Sequence, residues 1–360
     1  MSSDKLLTKQ LLSEKGKYPT FSSDSTNNGI VGYSNIQPSF VCDDNNPIFV
    51  IFGDHTRTFN VAQHSFNIMD NVKVLKPKQQ YTLSEILFIT SSWKKGIKDI
   101  GYARHWKFAK ETKILLPMKN GKIDFDFMDS FIAELEAERI AELSAYLKVS
   151  GLDNYELSDE ELKALRDYDS MEWREYRIGS LFSRISTKKL PYKAKNLPTE
   201  ALDDYELPCL TSSFRNQGLN YYVPREGATI LKDVISIPSN SDVYRAYFQS
   251  REFTVLSDAY AIKWTDEDRN LSNYQYLFMV RAINKVTDLP IYSYKMKLGG
   301  WNVVKDKKIL LPVIDDEIAF DFMEDYARAI SKLAIKDVVQ YTNERIETTK
   351  KVVTSHNTNY

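Results

Sequence analysis

An internal repeat constrains this chain more than any other feature of its sequence. Three landmarks recur 195 residues later: KILLP at 113–117 returns at 308–312, FDFM at 125–128 returns at 320–323, and Trp106 is matched by Trp301. One short match arises easily by chance, whereas three at a common spacing do not. The spacing therefore predicts two diverged copies of one domain.

The repeat extends upstream with small changes of spacing. PTFSS at 19–23 aligns with PCLTS at 208–212, and NNG at 27–29 aligns with NQG at 216–218, both 189 residues later. Asp70 aligns with Asp258 at a spacing of 188, so the second copy carries a seven-residue insertion after Leu75.

Each copy predicts the same order of elements. Short β-like segments come first, at 48–52 and 72–75 in the first copy and 234–237 in the second, bounded by Asn- and Gly-containing turns. Helices are expected near 83–93 and 274–284. A basic stretch, a strand-like KILLP segment and a long helix follow in both copies.

The long helices carry matching apolar stripes. Residues 127–148, and 322 to about 353, contain no Gly or Pro, and apolar residues recur three and four apart. Such stripes suit packing of one helix on another, and we expect the two to pack antiparallel. About 22 helical residues span about 33 Å, close to the roughly 34–36 Å of one DNA turn.

The fold class predicted is α+β: two repeated α/β domains joined by long antiparallel helices that form a coiled-coil-like spacer with pseudo-twofold symmetry. The predicted boundaries are a first domain at 1–125, a first spacer helix region at 126–168, a second domain at 169–320, a second spacer helix at 321–353 and a flexible tail at 354–360.

Charge is distributed unevenly along the chain. The whole chain has a net charge of −1, but residues 124–172 hold 15 acidic and 4 basic side chains, which leaves a net charge of +10 for the rest. Residues 94–113 and 281–308 each hold seven basic and two acidic residues, with aromatic residues between them. Lys and Arg contact phosphate oxygens, so both stretches are candidates for binding a polyanion.

Polar loops in both copies carry the side chains that read DNA bases, namely Arg, Asn, Ser and Thr. Together with the basic stretches they give the following candidate DNA-binding residues: Ser22, Ser23, Asn27, Asn28, Thr56, Arg57, Lys94, Lys95, Arg104, His105, Lys107, Ser212, Ser213, Arg215, Asn216, Ser239, Asn240, Arg245, Lys295 and Lys297.

Signatures of several enzyme classes are missing from the sequence. It has no P-loop, G-x-S-x-G or H-E-x-x-H motif, and its two cysteines show no metal-ligand spacing. We therefore predict no catalytic residue and no metal site. The N-terminus lacks a signal-peptide core and no window is apolar enough to span a membrane, so a cytoplasmic protein is expected.

The repeated plan resembles the specificity subunits of type I restriction–modification systems. Residues 18–33 (YPTFSSDSTNNGIVGY), 53–74 (GDHTRTFNVAQHSFNIMDNVKV) and 173–182 (WREYRIGSLF) are similar to the target-recognition domains of that family. Type IIB-like systems use similar subunits, and the sequence does not separate the two.

The resemblance implies a non-catalytic DNA-binding subunit that recognises a bipartite double-stranded site, one half-site per domain. It implies DNA methyltransferase subunits and an ATP-dependent restriction subunit as partners. S-adenosylmethionine, ATP and Mg would be bound by those partners and not by this chain.

One departure distinguishes the two copies. Trp173 begins a segment of more than thirty residues that precedes Pro208, whereas 18 residues precede Pro19. We expect the first domain to lack the N-terminal strand segment or to use a shortened one.

Two alternatives remain open at this point. The first alternative is a helical adaptor or scaffold that does not bind DNA sequence-specifically, and the second is an enzyme with an unrecognised site. A steep loss of DNA affinity with salt would favour the DNA-binding subunit, because bound phosphates release counterions.

Overall fold

The chain folds into two compact units in a computed structural model that describes residues 7–241, 243–293 and 295–357, with side chains to 348. The first unit comprises Met1–Ala145 and Glu344–Tyr360, and the second comprises Tyr146–Asn343. The C-terminal end of the last helix thus belongs with the first unit.

Two three-stranded sheets and a hairpin make up the β-structure of the first unit. The sheets have strand orders β2-β1-β5 and β4-β3-β6, and β7 pairs with β8. The strands are β1 (Tyr18–Phe21), β2 (Ile30–Ser34), β3 (Phe49–Gly53), β4 (Phe59–Ala62), β5 (Asn67–Ile68), β6 (Val72–Leu75), β7 (Met118–Lys119) and β8 (Lys122–Ile123).

The helices of the first unit are α1 (Leu83–Gly96), α2 (Trp106–Ala109) and α3 (Phe125–Val149), the last of which continues into the second unit. Helix α1 begins with a capping box: the Thr82 side chain accepts from the Glu85 N–H, and the Glu85 carboxylate accepts from the Thr82 N–H. These bonds satisfy two backbone donors at the helix start.

The second unit repeats this plan and extends it. Its sheets have strand orders β12-β11-β15, β10-β16-β13-β14 and β18-β17-β9. The strands are β9 (Glu172–Arg177), β10 (Phe182–Arg184), β11 (Leu207–Leu210), β12 (Leu219–Val223), β13 (Val234–Pro238), β14 (Tyr247–Gln249), β15 (Thr254–Val255), β16 (Ala259–Trp264), β17 (Lys308–Ile314) and β18 (Glu317–Ile318). The helices are α4 (Asp159–Asp167), α5 (Ile178–Leu181), α6 (Asn273–Thr287), α7 (Trp301–Val304) and α8 (Phe320–Asn357).

Strand pairing reproduces the repeat that the sequence predicts. Strand β1 is antiparallel to β2 and parallel to β5, and β11 is antiparallel to β12 and parallel to β15. Both β1–β2 and β11–β12 shift register at the matching step, Thr20/Phe21 in one and Cys209/Leu210 in the other. Both units are therefore mixed α/β folds of one design.

The prediction of a KILLP strand is right for the second copy and wrong for the first. Residues 308–312 lie in β17, which pairs with β9. Residues 113–117 are not in a strand, and Leu115 is 92% exposed. The two segments differ because a strand needs a neighbouring strand with which its backbone can form hydrogen bonds. In the described part of the first unit, no strand corresponds to β9.

The segment before β11 also enlarges the core of the second unit. Ile178, Leu181 and Phe182 are buried in a cluster with α6 residues, the buried side of β17 and Met323. The first unit has smaller separate clusters, one around Phe66 and others around Val50 and Phe52.

Both long helices form where the sequence predicts them. Helix α8 continues to Asn357, so the first four residues of the predicted tail at 354–360 are helical, and residues 358–360 lie outside the described residues. An ion pair joins Arg345 of α8 to Glu136 of α3 within the first unit. The antiparallel, coiled-coil-like spacer remains a prediction.

None of the helices in the described residues is both long and apolar enough to cross a membrane.

Candidate nucleic-acid interface

Three loops of the first unit meet at one end of the β4-β3-β6 sheet and form what we call the first loop cluster, residues 22–29, 54–58 and 97–105. The Ser23 hydroxyl accepts from the His55 N–H at 3.1 Å. Arg57 donates to the Ile97 carbonyl at 3.1 Å and to the Asp99 carboxylate at 2.5 Å. These contacts hold loops that are far apart in sequence against one another.

A matching group of three segments in the second unit forms the second loop cluster, residues 212–218, 239–249 and 288–298; the second segment ends in β14, and residues 242 and 294 lie outside the described residues. The Tyr247 hydroxyl donates to the Phe214 carbonyl at 3.1 Å. The Gln249 amide donates to the Gln217 carbonyl at 3.2 Å. Arg245 donates to the Asp288 carboxylate at 2.7 Å.

An arginine–aspartate pair links the second and third loops in both clusters. Arg57 pairs with Asp99, and Arg245 pairs with Asp288. The hydrogen bond with Asp288 raises the pKa of Arg245. The Gly101 N–H, with a smaller effect from Arg57, lowers the pKa of Asp99. Each arginine is thus fixed in orientation while part of its side chain stays exposed.

A left-handed turn closes the first loop of each cluster. Asn27, Asn28 and Gly29 have φ values of 46°, 49° and 75°. In the second cluster Asn216 and Gln217 have φ values of 46° and 54°, and a glycine with φ 86° follows. Asn and Gly tolerate this backbone region best, which explains why these residue types recur.

The turn asparagine bonds its own loop in both clusters. The Asn27 side chain donates to the Ile30 carbonyl at 3.1 Å, and the Asn216 side chain donates to the Leu219 carbonyl at 2.7 Å. Two loops with one geometry at equivalent places are the main structural reason to treat the clusters as paired binding sites.

Exposed cations surround the first cluster. Helix α1 starts at the end of the sheet away from the loops and finishes where Arg57 reaches the Ile97 carbonyl, which brings Lys94 and Lys95 to the cluster. Arg104 and Lys107 are also exposed. They lie at the cluster because the N–H of Trp106, between them in sequence, donates to the Asp54 carboxylate at 2.7 Å.

The predicted site residues of the second unit are also placed in its cluster. Lys295 is exposed in the third loop, and Lys297 beside it is exposed and engaged in a contact. Arg215 is exposed at the tip of the first loop, and Ser212 is half-buried beside it. Asn240 is half-buried, and its Oδ1 atom is buried without a hydrogen-bond partner in the described residues.

One predicted contact residue is corrected by the structure. His105 is 0% exposed. Its Nδ1 lies 3.0 Å from the Asp54 carbonyl, and its Nε2 lies 3.4 Å from the Ile100 N–H. This ring organises the loops from inside the protein and has no surface to offer to DNA. The sequence does not predict the burial of His105, because a histidine between basic residues is expected to lie on the basic surface.

Other predicted residues are used partly for loop structure. The Asn28 amide donates to the Val61 carbonyl at 2.9 Å and its oxygen accepts from the Val61 N–H at 3.3 Å. Three loop hydroxyls bond within their own loops: Ser22 accepts from the Asp24 N–H, Thr56 lies 2.7 Å from the Thr58 hydroxyl, and Ser213 accepts from the Arg215 N–H. The backbone N–H of Ser239 donates to the Asp258 carbonyl.

Two exposed aromatic side chains were not among the predicted site residues. Tyr102 is 91% exposed and stacks on His55 with ring centroids 4.7 Å apart. Phe214 is 50% exposed at the tip of its loop. The position of Tyr102 inside the basic stretch is a feature of the sequence that could have identified it. No feature of the sequence singles out Phe214.

The clusters offer cations, amides, hydroxyls and aromatic faces, which are the groups that bind phosphates and base edges. Within the described residues, no group of His, Cys, Asp and Glu side chains is arranged to hold a metal ion.

Comparison with known proteins agrees with this chemistry. Residues 2–145 match the family described as type I restriction modification DNA specificity domain. The specificity subunit S.BcgI of a type II restriction enzyme from Heyndrickxia coagulans is 22% identical over 283 residues, which cover 78% of this chain and 76% of that protein.

The chain is also similar, at TM-scores below 0.5, to solved structures of specificity subunits. The type I S subunit from M. genitalium has a TM-score of 0.49 at 14% identity, over 98% of this chain and 90% of that one. The HsdS subunit from Thermoanaerobacter tengcongensis has a TM-score of 0.30 at 12% identity, over 91% and 84%.

Residues 2–145 thus match a DNA specificity domain of type I restriction–modification systems, and most of the chain is similar to the specificity subunit of a type II restriction enzyme.

Proposed function

We propose that each loop cluster binds one half of a bipartite double-stranded DNA site. The observation that carries this proposal is the duplication of the cluster itself: three loops, a left-handed Asn-containing turn and an arginine–aspartate link recur in both units. Side chains at the loop tips would read bases, and the surrounding lysines would contact phosphates.

The long helices would set the gap between the half-sites. Helix α3 has 25 residues and therefore spans about 37 Å. That length is close to the roughly 34–36 Å of one DNA turn. The acidic residues of this region would keep it off the phosphates, because like charges repel.

The chain would work inside a larger complex. We propose that its helices dock DNA methyltransferase subunits, and that an ATP-dependent restriction subunit joins them. S-adenosylmethionine, ATP and Mg would then be bound by those partners. The match of residues 2–145 to a type I specificity domain and the similarity to a type II specificity subunit support these assignments, and they leave a type I and a type IIB-like system equally open.

Salt dependence of DNA binding tests the proposal. Lys94, Lys95 and Lys107 should contact phosphates, so replacing all three with Ala should weaken binding to every duplex alike and reduce the salt slope of log K by up to about 3. Fluorescence anisotropy with a random and a cognate duplex, between low and physiological salt, measures both quantities.

Lys76 and Lys78 provide the matched control. They follow β6 at Leu75, which pairs with Val50 near the start of β3, whereas the loops follow the other end of β3 at Gly53. Replacing these two lysines should leave the salt slope unchanged. DNA affinity that does not depend on salt, or that falls equally in the control, would favour a protein-binding adaptor.

A further inference from the structure

In the second unit, the KILLP segment lies in β17, and β9 pairs with the edge of that strand. Strand β17 pairs with β9 over six residues, from Lys308 opposite Arg177 to Val313 opposite Glu172. On the buried side of β17, Ile309 is 1% exposed and Leu311 is 0% exposed. In this unit, β9 therefore occupies the edge of β17 at which another strand could pair.

The first unit keeps the same hairpin but leaves the edge open. Met118 pairs with Ile123, which is the counterpart of the Val313–Ile318 pair. Upstream of Met118 the backbone of residues 113–116 makes no hydrogen bond with any described residue. An unpaired row of backbone N–H and C=O groups is a template for another strand.

The open segment already has the alternation of a strand. Ile114 and Leu116 are half-buried, and Leu115 between them is 92% exposed. Their counterparts in β17 alternate in the same sense, with Leu310 exposed between two buried side chains. The backbone is thus placed for pairing before a partner strand arrives.

An aromatic cluster beside this edge is also duplicated. In the first unit, Phe88 of α1 packs against Phe127 and Phe131 of α3, with ring centroids 6.2 and 5.6 Å apart. Phe278 of α6 packs against Tyr326 of α8 in the same way, at 6.0 Å.

Two aromatic residues cover the cluster in the second unit, and the described residues of the first unit provide no counterpart of them. Trp173 of β9 stacks on Phe278 at 6.2 Å, and Tyr168 stacks on Tyr326 at 4.6 Å. In the first unit Phe127 stays 49% exposed and Phe131 45% exposed. The uncovered rings fit a segment that carries the same kind of aromatic side chains.

Charges across the edge define the order of residues in that segment. In the second unit the Lys308 ammonium bonds the Glu175 carboxylate at 2.7 Å, and Arg177 is paired with Asp306. Lys113 and Glu111 occupy the positions 195 residues earlier. An incoming strand should therefore carry a base opposite Lys113, within reach of Glu111, and an acid two residues earlier, within reach of the Lys113 ammonium.

We propose that residues 113–117 form a strand-docking edge that is completed by an extended segment of another polypeptide chain. The segment would pair antiparallel with KILLP, cover Phe127 and Phe131 with aromatic side chains, and place an acid within reach of the Lys113 ammonium. The chain's own segment of this pattern, Glu172–Arg177, is already paired with β17.

A synthetic peptide tests the proposal. The probe is residues 168–180 of this sequence (YDSMEWREYRIGS) with a fluorescent label, titrated with the full chain and followed by anisotropy. We expect saturable binding with one site per chain and protection of the amides of residues 113–117 from hydrogen exchange. A peptide with Trp173→Ala should bind more weakly, because it cannot cover the aromatic cluster.

Charge exchange shows where the peptide binds without disturbing the fold, since Lys113 is exposed. Lys113→Glu should weaken binding roughly three- to ten-fold, and a peptide with Glu175→Lys should restore it. The same reversal at Lys119, in the neighbouring hairpin, serves as the control. The proposal is overturned by a failure of saturable binding, or by binding that Lys113→Glu does not change.

Discussion

A leucine-to-alanine pair at one repeat position tests how differently the two KILLP segments contribute to stability. Leu311 is 0% exposed in a paired strand, and its counterpart Leu116 is half-buried beside an open edge. Leu311→Ala removes a fully buried side chain and leaves a cavity, at a cost of about 3 kcal/mol. Leu116→Ala should cost about 1 kcal/mol, because less apolar surface is lost and water reaches the site.

Calorimetry converts these costs into transition temperatures. At roughly 2–4 °C per kcal/mol for units of this size, Leu311→Ala should lower its unfolding transition by about 6–12 °C and Leu116→Ala by about 2–4 °C. Leu115→Ala is the control, since a side chain 92% exposed should change stability by less than about 0.5 kcal/mol. Equal shifts for Leu311→Ala and Leu116→Ala would refute the contrast between a paired and an unpaired segment.

Three further predictions follow from buried or strained positions. Glu161 is 1% exposed, bonds the Lys332 ammonium at 2.9 Å and caps α4, so Glu161→Ala should destabilise the second unit by about 3 kcal/mol in a thermal melt; a change below about 1 kcal/mol would contradict this. Burial raises the pKa of Cys209 to about 12, so at pH 8 it should react with a disulfide reagent only after unfolding; prompt reaction in the native chain would show otherwise. A Cβ on Gly29 would lie 2.2 Å from the Asn60 amide at a φ of 75°, so Gly29→Ala should distort the turn and lower cognate DNA affinity more than affinity for random DNA; an equal loss for both would contradict the assigned role of the turn.

The repeat and the helices could be predicted from sequence because both are local signals. Helix α1 was expected near 83–93 and runs from Leu83 to Gly96, with its capping residues Thr82 and Glu85 visible in the sequence. The two FDFM segments likewise begin the two long helices. Helix propensity and capping act within a few residues, so one stretch of chain carries the information.

Strand formation at KILLP could not be predicted from the segment itself. Residues 113–117 and 308–312 have identical sequences, but β17 forms because β9 lies beside it. Strand preference depends on neighbouring strands that are distant in sequence. The missing counterpart of Trp173 was the available signal: it predicts a first unit that lacks this strand or uses a shortened one, and the described residues of that unit contain no strand corresponding to β9.

Side-chain roles in the loop clusters also depended on tertiary contacts. Arg57 and Arg245 look like free cations in sequence, yet each is bound to an aspartate of another loop. His105 is buried although it lies between exposed basic residues. Residue type and local charge predict the region that would bind DNA, whereas pairing and burial decide which side chains are available there.

Replacement of one recognition unit is the most direct test of the claim that each loop cluster reads its own half-site. Residues 19–105 would be exchanged for the aligned segment of a relative, and the methylated motif would be mapped by sequencing host DNA with the methyltransferase partner present. We predict that one half of the motif changes while the other half and the gap between them stay the same. A change in both halves together would contradict the account.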